Sequence, residues 1–78
     1  MSGLEGPEKL AYMANQIARY FAAQPGEGAA QAACDHLKSF WTPAMRRTIT
    51  AHKGSVALSE VAAAAVALLP EAADKGAA

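Results

Sequence analysis

Residues 7–23 read PEKLAYMANQIARYFAA. Leu10, Met13, Ala14, Ile17 and Phe21 fall at i, i+3, i+4, i+7 and i+11, which places them in one stripe of an α-helix. Pro7 suits the first turn, where its missing amide hydrogen would have no intrahelical partner. Glu8 suits the positive end of the helix dipole. The spacing predicts a helix over 7–23, and no strand-like alternation occurs in this stretch or elsewhere in the chain.

Outward from this helix, Gln24-Pro25-Gly26-Glu27 has proline at the second and glycine at the third position of a type II turn. A second helix is predicted over 27–41, with Ala29, Ala33, Leu37 and Phe40 on its apolar stripe. Pro43 disfavours helical geometry at Thr42 but can open a third helix over 43–53, with the Thr42 hydroxyl as N-cap. Met45, Ile49 and His52 share a face of that helix, and Gly54 is expected to end it as a left-handed residue. Ser59 is placed to cap a fourth helix over 59–69, with Leu58, Val61, Ala62, Ala65 and Leu69 on its main stripe and Pro70 as its stop. Residues 70–78 are expected to form a frayed tail. The fold expected for residues 1–78 is a single all-α domain, a small bundle of three to four short helices. Leu10, Ile17, Phe21, Leu37, Phe40, Ile49 and Leu69 are its expected core.

That core is thin. A domain of 78 residues buries only about 60% of the surface its unfolded chain exposes. The chain is 53% apolar, yet 21 of its residues are alanine, which adds little buried area. Small domains make up the shortfall with disulfides, a metal or association. Cys34 is the lone cysteine, which removes an internal disulfide and the multi-cysteine spacing of structural zinc sites and favours a reducing compartment. The longest uncharged apolar run, Val61 to Leu69, falls far short of the ~20 residues that span a bilayer. Seven basic and seven acidic side chains cancel, so overall charge points to neither nucleic acid nor an anionic membrane. A soluble cytoplasmic protein that associates with a partner is the expectation.

The residues offer no catalytic, cofactor-binding or metal-binding set. Cys34 and His36 lie two residues apart, so on a helix their side chains point about 200° apart and form no dyad. Cys34, Asp35 and His36 cannot converge on one ion from a single helix. Gly26-Glu27-Gly28 lacks the preceding strand and third glycine of a dinucleotide-binding turn.

A composition shift marks the middle of the chain. From His36 to Lys53 there are Lys38, Arg46, Arg47 and Lys53 but no acid, interleaved with Phe40, Trp41 and Met45. This pattern fits a surface for an acidic partner, a nucleic-acid site or a solvated face. Arg and Trp are enriched at binding hot spots, which favours a protein partner. Pro43 stiffens the junction, and Arg46 and Arg47 at the start of the third helix oppose its dipole unless a partner compensates them. The opposite face of helix one carries Tyr12, Asn15, Gln16 and Arg19, with few charges for a solvated face. The expected docking surface is therefore Tyr12, Asn15 and Arg19 together with Trp41, Pro43, Met45, Arg46 and Arg47.

Several strings resemble one family. Lys9-Leu10, Met13-Ala14-Asn15-Gln16-Ile17-Ala18, Phe21-Ala22 and Gln24-Pro25 are similar to the opening of the delta subunit of NAD-dependent formate dehydrogenases. Asp35-His36-Leu37, Phe40-Trp41, Pro43 and Met45-Arg46 resemble its middle, and Ala65-Val66-Ala67-Leu68-Leu69 its ending. The segment 53–60 departs from the family's usual glycine-rich turn and proline. The resemblance implies a non-catalytic accessory subunit of a cytoplasmic, molybdenum-containing complex that oxidises formate to carbon dioxide and reduces NAD. It implies a large alpha subunit holding molybdopterin and iron-sulfur clusters, beta and gamma subunits carrying the FMN-linked path to NAD, and no cofactor in this chain. The rival expectation is a stand-alone helical adaptor that binds nucleic acid through its basic middle segment.

Overall fold

The computed structural model describes residues 6–72. Four helices follow in chain order: α1, Pro7–Ala22; α2, Ala29–Phe40; α3, Pro43–His52; and α4, Glu60–Ala67. No strand occurs among the described residues. The all-α bundle expected from the periodicity is what forms.

Local signals account for the boundaries. Pro7 opens α1 and Pro43 opens α3. The Thr42 hydroxyl accepts from the Met45 amide at 3.2 Å, and the Ser59 hydroxyl accepts from the Ala62 amide at 3.2 Å. Each thereby satisfies an amide that the first helical turn leaves without a partner. Gly26 has φ +96, as the third position of a type II turn requires. Gly28 has φ +93, and this left-handed residue delays α2 to Ala29, two residues later than its predicted start. Gly54 is not left-handed, contrary to expectation, since Gly26 and Gly28 alone among the described glycines have positive φ. The α3 end is closed instead by Ser55, whose amide and hydroxyl both donate to the His52 carbonyl, at 2.9 and 3.1 Å.

The buried face of α1 is Leu10, Ala11, Ala14 and Ala18. Met13, Ile17 and Phe21 pack against the core from its edge. Alanines on the inner face allow neighbouring helix axes to approach closely, and α1 packs against all three other helices. From α4 come Ala62, Ala65 and Val66, joined by Leu69 just beyond its end. Leu37 and Ile49 complete the centre, each 1% exposed or less.

Two sequence expectations in this region need correction. Phe40 is not core: it is 72% exposed, and Trp41, at 6%, occupies the position assigned to it. The helix α2 stops at Phe40, and Trp41 turns inward with extended backbone, φ −92 and ψ 144. His52 lies exposed at the α3 terminus, and Thr50 is buried beside Ile49, its hydroxyl proton shared between the carbonyls of Arg46 and Arg47, both at 3.0 Å. The tail does not fray at Pro70, because residues 70–72 form a further helical turn and Glu71 is tied to Arg46. The rest of the expected tail, 73–78, lies outside the described residues.

Candidate functional site

The eight residues expected at a docking surface separate into two groups. Tyr12, Arg19, Pro43 and Arg47 are exposed, whereas Trp41 is buried and Asn15, Met45 and Arg46 are half-buried. Sequence spacing brought these residues together as one surface; the fold gives the last four of them contacts within the molecule.

Arg46 does not project outward as expected. Its Nε donates to Glu71 Oε2 at 3.0 Å, with both side chains 15% exposed. One terminal nitrogen donates to the carbonyls of Trp41 at 2.9 Å and Lys38 at 3.3 Å. These are groups at the end of α2, where the final carbonyls have no intrahelical partner and the dipole favours a cation. The apparent electrostatic penalty of a cation near the start of α3 is thus resolved within the fold: Arg46 turns back to cap α2. Glu71 could not be paired with it from spacing, since it stands 25 positions along the chain in what reads as a tail.

Asn15 also faces the fold. Its amide donates to the Ala57 carbonyl at 2.9 Å, and its Oδ1 accepts from the Ser59 amide at 2.8 Å. Both donor and acceptor of one side chain thereby hold the loop that leads into α4. A primary amide carries a donor nitrogen and an acceptor oxygen on one rigid group, which lets Asn15 make both bonds at once. This loop and α1 form the walls of a shallow groove lined by Glu8, Ala11, Tyr12 and residues 55–57. A second groove, beside Arg19, is bordered by Glu60 and Val61 of α4.

A row of rings crosses the seam between α1 and α2. Tyr20 meets Phe21 edge-on at 5.0 Å, Phe21 meets His36 at 6.0 Å, and His36 lies 4.5 Å from Phe40. Gln16, Ile17, Tyr20, Phe21 and His36 line a depression along it. The row lay outside the docking surface expected from sequence, because Phe21 and Phe40 were assigned to the core and Tyr20 to no role. The available signal was the i, i+4 pair His36 and Phe40, which puts two rings on one face of α2.

Chemistry at single residues is restrained. Cys34 is 1% exposed, and its thiol is held above the usual range, chiefly by loss of hydration on burial. Asp35 and Glu71 push it the same way and Lys38 opposes them. A thiol so placed is protonated at neutral pH and is a poor nucleophile. No group of three His, Cys, Asp or Glu side chains among the described residues is arranged to hold a metal ion. No described helix is long and apolar enough to cross a membrane.

The fold and these sites define a small all-α protein whose developed features are surfaces and helix junctions. A family model described as the NADH-dependent formate dehydrogenase delta subunit FdsD matches residues 9–66, from the first turn of α1 into α4. The chain belongs to that family. Comparison with curated proteins and with solved structures gives no match.

Proposed function

We propose that the chain is a non-catalytic accessory subunit that docks on the large alpha subunit of a cytoplasmic NAD-dependent formate dehydrogenase and stabilises it or helps to assemble it. The observation that carries this reading is the delta-subunit family match across residues 9–66. The thin, alanine-rich core supports it physically, because a domain that buries little of its own surface gains stability from a partner. In this reading molybdopterin and the iron-sulfur clusters belong to the alpha subunit, FMN belongs to the beta and gamma subunits, and this chain binds none of them. Tyr12, Arg19, Pro43 and Arg47 remain as the exposed members of the docking surface expected from sequence.

Co-expression of the tagged chain with its formate dehydrogenase subunits tests the proposal. The large subunit should be recovered with it in fixed ratio, and omission of the chain should lower the yield of complex active in formate-dependent NAD reduction. Recovery of the tagged chain alone, beside a fully assembled and active complex, would refute it.

A further inference from the structure

We propose that the ring row on the α1–α2 face is the apolar anchor of a subunit interface, and that its occupant is a segment, uncharged at its centre, of another formate dehydrogenase subunit. The inference rests on the accessory-subunit reading and adds the surface and the chemistry of its partner.

Exposure locates the surface. Tyr12, Tyr20 and Phe40 are 64%, 62% and 72% exposed, three of the four large hydrophobic side chains left open among the described residues. Tyr12, Gln16 and Tyr20 follow at i, i+4 and i+8 on α1, and the Gln16 amide donates to the Tyr12 hydroxyl at 3.3 Å. The row then crosses to α2 through Phe21, His36 and Phe40.

Charge selects the occupant. The two exposed faces of α2 differ: one carries Asp35, bonded to Gln31 at 3.0 Å, and Lys38, while the other carries His36, Ser39 and Phe40 with no carboxylate, Lys or Arg. On α1, Ile17, Tyr20 and Phe21 likewise carry no charge, whereas exposed Glu8, Lys9 and Arg19 border the Tyr12 and Gln16 end of the row. A partner that set an ion against the Tyr20–Phe40 end would desolvate it with no counter-charge, so the covering segment is uncharged at its centre and can be polar only at the Tyr12 rim. Aromatic enrichment and charge depletion are the marks of an interface core.

Area argues against a second copy of the chain. Three aromatic side chains of about 150–250 Å² each, exposed to these extents, offer roughly 400 Å² in all. A standard interface takes about 800 Å² from each partner, and obligate homodimers take more. The row supplies about half of one side, so the occupant must reach beyond it onto the surrounding surface, as a larger subunit can.

The test titrates the full 78-residue chain into the remaining formate dehydrogenase subunits. Tyr20→Ser/Phe40→Ser should weaken binding at least tenfold, with an unchanged helical spectrum and an effect that does not diminish as salt rises. Asp35→Ser/Lys38→Ser, on the other face of α2, should bind like wild type, and Phe40→Leu in the Tyr20→Ser background should recover part of the loss. Wild-type binding by the double variant overturns the inference while leaving the accessory-subunit reading intact. So does a wild-type dimer, without partner subunits, that the double substitution renders monomeric. Failure of the wild-type chain itself to bind overturns both readings.

Discussion

Arg46 joins three parts of the chain through one guanidinium: the end of α2, its own helix and the turn at 70–72. Its removal would leave Glu71 largely buried without its cation, and Glu71 Oε1 already has no hydrogen-bond partner among the described residues. The carbonyls of Lys38 and Trp41 would lose a charged donor as well. Breaking a buried pair from one side costs about 3–5 kcal/mol, and the residual exposure of this pair lowers that figure. Arg46→Ala is therefore expected to destabilise the isolated chain by about 2–4 kcal/mol, whereas exposed Arg47→Ala should stay within about 0.5 kcal/mol of wild type. Urea unfolding of both variants checks this, and equal midpoints would remove the structural role given to Arg46. The sequence alone suggested that both arginines were free, because the acid that pairs with one of them lies in a different element.

Among the elements, α4 depends most on its surroundings. Its eight residues, EVAAAAVA, form a segment too short to persist as an isolated helix in water. Two devices at its start compensate: the Ser59 hydroxyl caps it, and Asn15 of α1 holds the Ser59 amide and the Ala57 carbonyl. Since both devices fix the same residue, their contributions should couple. Asn15→Ala and Ser59→Ala are each expected to cost about 1–2 kcal/mol, and the double variant less than their sum by at least about 0.5 kcal/mol. Strict additivity in thermal unfolding would show that the two act independently. Helix capping by Thr42 and Ser59 and helix opening at Pro7 and Pro43 were legible in the sequence, because they depend on neighbours a few residues away. The register of α2 was not: Phe40 and Trp41 lie at i+3 and i+4 from Leu37, both positions face inward on an ideal helix, and only the turn after Phe40 decides between them. Asn15 was read as surface for a related reason, since its partners lie more than 40 positions further along the chain.

Taken as a whole, the molecule has a central cluster with one built-in reporter, Cys34, enclosed with Leu10, Leu37, Ile49 and Leu69. Its thiol should react with iodoacetamide about 10²–10³-fold more slowly than in the urea-unfolded chain, because exposure requires opening of the cluster. A native rate equal to the unfolded rate would contradict the burial. The same residue sets an alkaline limit. Burial raises the folded thiol above its ordinary value of 9.0, so the folded state holds the proton more tightly than the unfolded state. The resulting stability is complete below pH 9.0 and declines as pH rises beyond it. Cys34→Ala should flatten that decline if the thiol causes it. Finally, α1 and α4 pack together although they stand near opposite ends of the described chain. The helix α2 follows α1 directly and can cover its share of the α1 face early, whereas the share that α4 covers stays open until α4 has docked. Closing α4 onto α1 spans most of the described chain, and that long loop, more than any single helix, sets the pace at which the molecule folds.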